Sequence, residues 1–153
     1  MNDHTLIDLA VMRLQRAYAD IATRRAWPEI ASLATPDARF SFDTRSGGVV
    51  EVVGAEAFGE FGARMTAHFS FYEYIPLNTV VTIGTTATAR GRSYSLEVCE
   101  DRDTRAWINV YGFYQDDYVL FDGTWRFARR HYQTLGRRTG DRLEAFPLQD
   151  PPP

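Results

Sequence analysis

The stretch YGFYQDDYVLFDGTWRFARRHY, from Tyr111 to Tyr132, predicts two antiparallel strands joined by a tight turn at Asp122-Gly123. An Asp-Gly pair between alternating segments favours a two-residue type I′ turn, and such a turn fixes the register of the strands. In that register Leu120 faces Trp125 and Tyr118 faces Phe127. Since residues that face each other share one side of a sheet, this apolar side should point into a core.

Further from the turn, the same side of the predicted hairpin becomes polar. If the two strands pair residue by residue without a bulge, which we call the flush register, Asp116 pairs with Arg129 and Tyr114 pairs with His131. One interpretation is a structural ion pair, because a buried carboxylate without a partner is costly. The other is a hollow core in which these four groups perform general acid–base chemistry, their pKa values tuned by burial. A longer turn would shift this register.

Composition limits the class of protein. The 153 residues, with 44% apolar and 14% aromatic side chains, suit one packed domain. The net charge of −3, without any lysine, argues against nucleic-acid binding. Cys99 is the single cysteine, no apolar run is long enough for a membrane span, and the first residues do not resemble a signal peptide. We therefore expect a cytoplasmic protein that does not contact membranes.

Periodicity along the chain predicts helices first and strands afterwards. A helix is expected over residues 5–25, a short second helix between Pro28 and Pro36, and a third over 54–68. Strands are expected over 38–53, with a turn at 46–48, and then over 69–83 with a bulge at Pro76, 86–98, 107–120 and 125–135. This order indicates an α+β domain over residues 1–136. A polar, proline-rich tail over residues 137–153 is expected to be loose.

Two stretches resemble a known family. LQRAYADIATRRAWPEIASLATPDARF near the start and YQDDYVLFDGTWRFARR near the end are similar to the SnoaL-like family of the nuclear-transport-factor-2-like superfamily. The resemblance spans residues 5–135. It implies a cone-shaped, curved and mostly antiparallel sheet, packed on three N-terminal helices and enclosing an apolar pocket, often in a homodimer. Relatives include scytalone dehydratase, ketosteroid isomerase and polyketide cyclases.

The dehydratase site of that family is incomplete in this chain. Tyr18 matches the aromatic residue of the first helix, but Thr23 stands where those dehydratases carry a catalytic aspartate. Asn78 matches a strand residue of the same site, but Tyr74 replaces the histidine that precedes it. The resemblance therefore does not imply dehydration of the scytalone type.

The isomerase pattern is also displaced. Asp37-Ala38 matches the pair that precedes the isomerase base, yet the base position falls on Phe42. Asp43 comes one residue late, which would turn it to the other face of the strand unless a bulge intervenes. The second acid of the isomerases lies near the position of Asp116 in this chain.

We therefore expect a protein that binds a small apolar molecule, and two functions stay open. One is a cofactor-independent isomerase, dehydratase or cyclase for an apolar cyclic substrate, with Asp116 and His131 moving protons and Tyr114 and Arg129 donating hydrogen bonds. The other is a non-catalytic binding module or a small partner subunit of a larger enzyme. The predicted pocket residues are Tyr18, Thr23, Phe58, Phe61, Tyr74, Asn78 and Tyr118.

The remaining expectations concern metals and assembly. The three histidines show no spacing typical of metal ligands, so no metal and no cofactor are predicted. A homodimer is expected, with Phe113 and Tyr132 adding apolar area on the outer face of the hairpin.

Overall fold

A computed structural model describes residues 3–149 as a curved, open sheet with helices on its concave side. The elements, in chain order, are α1 (Asp3–Arg24), a 3-10 helix (Trp27–Ser32), β1 (Ala34–Asp43), β2 (Val49–Val53), α2 (Ala55–Thr66), β3 (Phe69–Ile83), β4 (Thr88–Asp101), β5 (Trp107–Phe121), β6 (Thr124–Thr139) and β7 (Arg142–Ala145). The predicted α+β class and the three helices, one of them 3-10, are confirmed.

The seven strands form a single mixed sheet. Its order is β2-β1-β6-β5-β4-β3, and β7 pairs with the far end of β6. All neighbours are antiparallel except β1 and β6, which run parallel. The long strands β3 to β6 therefore form one concave surface, against which α1 and α2 pack.

The Asp-Gly hairpin forms as predicted at the turn itself. Asp122 and Gly123 both have positive φ, 48° and 73°, as a type I′ turn requires. Pairing is flush as far as Tyr118, which lies opposite Phe127. The predicted inward position is correct for these two side chains, which are fully buried, whereas Leu120 beside the turn is exposed.

Beyond Phe127 the predicted register is wrong, because β6 contains a bulge. Asp117 lies opposite Arg129, so that Ala128 has no partner on β5. One extra residue reverses which side chains point to each face. Asp116 consequently lies opposite Arg130 rather than Arg129, and Tyr114 lies opposite Tyr132 rather than His131.

A second bulge follows at Leu135. Gly112 lies opposite Thr134 and Tyr111 opposite Gly136, which leaves Leu135 without a partner on β5. The first bulge turns Arg130, Tyr132 and Thr134 to the concave face, and the second turns Arg137 to it.

The helices bury one face each, with small departures from the predicted pattern. In α1 the buried stripe includes Ile7 and Val11, whereas Leu6 and Leu9 are exposed. In α2 the glycines permit close packing, because a Cβ on Gly62 would lie 2.5 Å from the ring of Trp27. No helix within residues 3–149 has the length and apolarity that crossing a bilayer requires.

Several element boundaries differ from the prediction. β1 begins at Ala34, so Pro36 lies inside it, and β4 continues through Asp101 where a loop was expected. The bulge predicted at Pro76 is present, as a register shift between Pro76 and Thr79. The predicted domain boundary at residue 136 falls within β6, and β7 forms part of the tail that was expected to be loose.

Candidate active site

A cavity of about 320 Å³ lies between α2 and the concave face of the sheet. Its floor consists of aromatic side chains that are less than a tenth exposed, namely Tyr18, Phe58, Tyr72, Tyr114 and Tyr132. Its rim carries exposed or half-buried residues from the β1–β2 turn, the end of α2 and the end of β6: Ser46, Met65, His68 and Arg137. The volume lies at the lower end of the range typical of small-molecule sites.

Glu97, on β4, is the only carboxylic acid among the described residues that line this cavity. Its Oε2 accepts a hydrogen bond from the Tyr72 hydroxyl at 2.9 Å, and its Oε1 accepts one from the Tyr132 hydroxyl at 3.3 Å. Burial raises the pKa of Glu97, and these two hydroxyl donors lower it only in part. A carboxyl group with a raised pKa in an apolar cavity can both accept and return a proton near neutral pH.

A second polar group on the floor is a pair of phenols. The hydroxyl oxygens of Tyr18 and Tyr114 lie 3.4 Å apart. Burial raises the pKa of both phenols, and the positive charge of Arg130 works against that rise. Both tyrosines therefore stay protonated, so that they can donate hydrogen bonds to a ligand oxygen.

Behind this floor, Arg130 and Asp116 form a buried ion pair. The Arg130 Nε and Nη2 groups donate to the two carboxylate oxygens of Asp116 at 2.9 and 3.3 Å, and both side chains are at most 1% exposed. Gln15 and Tyr118 also donate to Asp116, at 2.7 and 2.9 Å. The hydrogen-bonding capacity of Asp116 is thus used inside the protein, and this residue does not line the cavity.

The Arg130 guanidinium is also enclosed by aromatic rings. Its central carbon lies 4.0–4.1 Å from the ring centres of Tyr18, Tyr114 and Phe127. Cation–π contacts at such distances stabilise a desolvated cation. This cluster connects α1 with β5 and β6, and it supports the floor of the cavity from behind.

Two of the four predicted catalytic residues lie on the other face of the sheet. Arg129 lines a shallow surface groove beside Ser41, and His131 lies 2.6 Å from the Ser41 Oγ atom through its Nδ1 atom. Burial lowers the pKa of His131, and the charge of Arg129 adds to this effect. Gln133 contacts the other nitrogen of His131 at 3.2 Å and pairs with Gln149 of the C-terminal segment. Neither Arg129 nor His131 reaches the cavity, because the bulge at Ala128 turned them away.

The predicted pocket residues divide into two groups. Tyr18, Phe58 and Phe61 line the cavity. Tyr74, Thr23, Tyr118 and Asn78 do not. The ring of Tyr74 packs edge-on against Tyr18, and the Thr23 hydroxyl accepts a hydrogen bond from the Tyr74 backbone N–H at 3.0 Å.

The other two lie further from the cavity. Tyr118 belongs to the Asp116 cluster, and Asn78 is exposed on β3.

The geometry of β1 shows to which face the Asp43 side chain points. Phe42 lines the cavity and stacks on Phe61, with ring centres 4.8 Å apart. Asp43, the next residue, forms an ion pair with Arg45 at 3.1 Å on the opposite face, beside Gln133. No bulge turns the Asp43 carboxylate into the cavity.

Sequence reasoning missed Glu97, and the pattern of β4 explains the omission. The concave face of β4 carries small residues such as Ser93 and Ser95, whereas the larger apolar residues Tyr94 and Leu96 point outward. Apolar alternation alone therefore favours the wrong face. The pairing of Glu97 with Val110 on β5 would have placed it correctly, but the register depends on the loop between these strands.

Within residues 3–149, no three histidine, cysteine or acidic side chains converge in a manner that could hold a metal ion. Cys99 lies in the cavity wall, and burial raises the pKa of its thiol to about 12. Such a thiol is a poor nucleophile. The chemistry available in the cavity is therefore that of a carboxyl group and several phenols.

The open curved sheet with N-terminal helices corresponds to the cone fold of the nuclear-transport-factor-2-like superfamily. Residues 3–131 match the model of the SnoaL-like domain, and the chain belongs to this family. No curated protein sequence matches the chain.

Solved structures agree with this membership. A candidate scytalone dehydratase from Novosphingobium aromaticivorans is 22% identical, with 99% of this chain and 100% of the other covered and a TM-score of 0.81. A candidate aromatic ring hydroxylase from the same organism is 24% identical, with 90% and 92% covered and a TM-score of 0.72. The hexachlorocyclohexane dehydrochlorinase LinA-type3 from Novosphingobium barchaimii is 15% identical, with 99% and 98% covered and a TM-score of 0.75. At these identities the similarity shows a shared fold.

Proposed function

We propose that the protein is a cofactor-independent enzyme that moves a proton at a carbon atom of a small, mostly apolar cyclic substrate, in an isomerisation or an elimination. The observation that carries this proposal is Glu97, the one carboxyl group among the described residues of a mainly aromatic cavity, hydrogen-bonded to two phenols and with a pKa raised by burial. The dehydratase and dehydrochlorinase names of two structural neighbours agree with this reaction class.

In the proposed reaction, the Glu97 carboxylate accepts a proton from a carbon next to a carbonyl group or a leaving group. The electron pair of that C–H bond moves into the substrate. In a carbonyl substrate it forms an enolate, whose oxygen accepts a hydrogen bond from the phenol of Tyr18 or Tyr114. Glu97 then returns the proton to another carbon. In an elimination, the C–H electron pair forms the new C=C bond, and the leaving group departs with the electron pair of its own bond to carbon.

Tyr72 and Tyr132 position the Glu97 carboxyl group in this scheme, because each donates to one of its oxygens. Asp116, predicted as a proton-transfer group, has a structural role in the proposal, with Arg130 as its partner. The sequence had suggested a structural ion pair with Arg129, and this interpretation is kept with Arg130 in its place.

The test has two stages. Ligand-observed NMR first measures whether 2-tetralone, a two-ring ketone, occupies the cavity. Deuterium incorporation from D2O at its C1 position then measures proton transfer. We expect exchange above the buffer rate with the wild type and none with Glu97→Gln.

The matched control is Glu100→Gln, which changes a carboxylate on the same strand that pairs with Arg105 outside the cavity. This variant should exchange at the wild-type rate. Exchange that persists in Glu97→Gln would refute the role of Glu97.

A non-catalytic binding module is the second candidate, favoured by the complete internal pairing of Asp116. Occupancy by 2-tetralone without exchange in the wild type would support it. If the protein is instead a small subunit of a larger enzyme, it would bind a protein partner, and co-purification would test this.

A homodimer also belongs to the proposal, and light scattering at micromolar concentration would test it. Phe113 and Tyr132 do not supply its surface, since they are 0% and 4% exposed and Tyr132 points into the core. Cytoplasmic location likewise stays a prediction, which fractionation of cells would check.

A further inference from the structure

We propose that the ligand of this cavity carries an anionic group, in the simplest case a carboxylate, and that Arg137 binds it at the rim. The inference rests on the proposed function, in that it assigns a substrate class to the same cavity. It would make the substrate a cyclic acid rather than a fully apolar molecule.

The position of Arg137 follows from the pairing of three neighbouring strands. Glu97 on β4 lies opposite Val110 on β5, and Val110 lies opposite Arg137 on β6. All three line the cavity. Because neighbouring strands are spaced by roughly 4.8 Å, the backbones of Glu97 and Arg137 lie roughly 10 Å apart along this row. One carboxyl group and one guanidinium therefore face the same cavity from positions two strands apart.

The charge of Arg137 is not neutralised within the described chain. Its Nη2 group donates to the Thr44 carbonyl oxygen at 2.8 Å and to the Ser46 hydroxyl at 3.2 Å, and both acceptors are neutral. No carboxylate within residues 3–149 forms an ion pair with it, and its Nε and Nη1 groups have no hydrogen-bond partner there. Donors thus remain for a ligand.

Arg137 also does not serve to neutralise Glu97. Burial and the hydroxyls of Tyr72 and Tyr132 account for the shifted pKa of Glu97, which is raised, whereas a nearby guanidinium would lower it. The hydrogen bonds to Thr44 and Ser46 hold the Arg137 side chain at the β1–β2 turn instead. A cation fixed at the rim, with only neutral acceptors beside it among the described residues, favours a ligand with one anionic end.

His68 is the other rim residue that can carry positive charge. Its ring is tilted against Phe69, with centres 3.9 Å apart, and its exposed position leaves it solvated. The Arg137 guanidinium is always charged and keeps its Nε and Nη1 donors for a carboxylate, since its Nη2 group already donates to Thr44 and Ser46. The geometry therefore assigns the anion to Arg137, and a His68→Gln variant tests that choice.

The experiment compares two ligands of nearly equal shape, 2-naphthoate and 2-naphthamide, by isothermal titration calorimetry at low salt. We expect the wild type to bind the carboxylate about tenfold more tightly than the amide, and Arg137→Gln to lose this preference while binding the amide as before. Arg137→Lys keeps the charge and should retain part of the preference.

The matched control is Arg138→Gln. Arg138 is the next residue of β6 and is exposed, and its guanidinium Nε donates to the Gly140 carbonyl oxygen outside the cavity. It should keep the full preference, as should His68→Gln. Equal binding of both ligands by the wild type, no binding of 2-naphthoate up to millimolar concentration, or a preference that survives in Arg137→Gln would overturn the inference. A loss of binding for both ligands in Arg137→Gln and Arg137→Lys would also overturn it, because Arg137 would then only hold the β1–β2 turn in place and would not bind the anion.

This result is separable from the proposed function. Glu97→Gln should retain the preference for 2-naphthoate, since the anion is held by Arg137. Deuterium exchange that depends on Glu97, together with a missing carboxylate preference, would refute the ligand class alone. A carboxylate preference without exchange would refute the catalytic proposal alone.

Discussion

Replacement of Arg130 by methionine tests the bulged register of the last hairpin most directly. Arg130 is the buried partner of Asp116, with two hydrogen bonds of 2.9 and 3.3 Å and at most 1% exposure on either side. Removal of one member of such a pair typically costs about 3–5 kcal/mol, because the other charge stays buried. Loss of the contacts to three aromatic rings adds to this cost, while the methionine side chain replaces part of the packing.

The assay is chemical denaturation at pH 7, with Arg129→Met as the control. In the flush register Arg129 would be the buried partner, whereas in the structure it lies on the outer face, so its replacement should cost about 1 kcal/mol or less. For a domain of this size, 3 kcal/mol corresponds to a fall in Tm of roughly 6–12 °C.

The destabilisation caused by Arg130→Met should shrink in acid. Burial already raises the pKa of Asp116 and the charge of Arg130 works against that rise, so removal of the guanidinium raises this pKa further. The part of the penalty that comes from the unpaired charge is therefore absent in acid, where the carboxyl group is protonated, and grows as the pH rises. Equal destabilisation by both variants at pH 7, or a larger effect of Arg129→Met, would refute the bulged register.

Two further predictions concern the cavity and its support. Because the pKa of Glu97 is raised, the folded state holds this proton more tightly than the unfolded state. The resulting stabilisation is complete below the ordinary pKa of 4.5 and is lost as the pH rises through the folded pKa. In urea melts, Glu97→Gln should therefore gain stability relative to the wild type from acid to neutral pH, and a constant difference would contradict this. Gly62→Ala should lower stability by about 1–3 kcal/mol, since the new Cβ would lie 2.5 Å from the Trp27 ring, and an unchanged melting curve would contradict that packing.

Much of the fold could be predicted because its signals are local. The Asp122-Gly123 turn, the helical stripe of α1 and the bulge at Pro76 each follow from a few neighbouring residues, and each is present. The resemblance to the SnoaL-like family rested on two such stretches and is confirmed by the match over residues 3–131.

The site was harder to predict because it depends on which face of a strand each side chain occupies. The sequence around Ala128 contains no glycine or proline that would signal a bulge, so a flush hairpin was the natural prediction. Every assignment on β6 beyond that point inherited the error, whereas Asp116 and Tyr114 on β5 point inward as predicted. Glu97 was missed for a related reason, since the larger apolar residues of β4 lie on the outer face and only the pairing with β5 reveals its position.

The two bulges of β6 determine which chemistry the cavity contains. With flush pairing throughout, the concave face of β6 would carry Arg129, His131 and Gln133. The bulge at Ala128 replaces these with Arg130, Tyr132 and Thr134, and thereby supplies the hydroxyl that Tyr132 donates to Glu97.

The bulge at Leu135 again exchanges the side chains that point to the two faces of the sheet. As a result Arg137, rather than Gly136, lies opposite Val110 and reaches the cavity rim. Loss of the first bulge alone would place an imidazole where Tyr132 now contacts Glu97, and loss of the second alone would remove the cation from the rim. The proposed anion-binding group and the Tyr132 hydroxyl that contacts the proposed acid–base group therefore depend on two single-residue insertions in one strand. For this fold, the location of bulges is as informative about function as the identity of the residues between them.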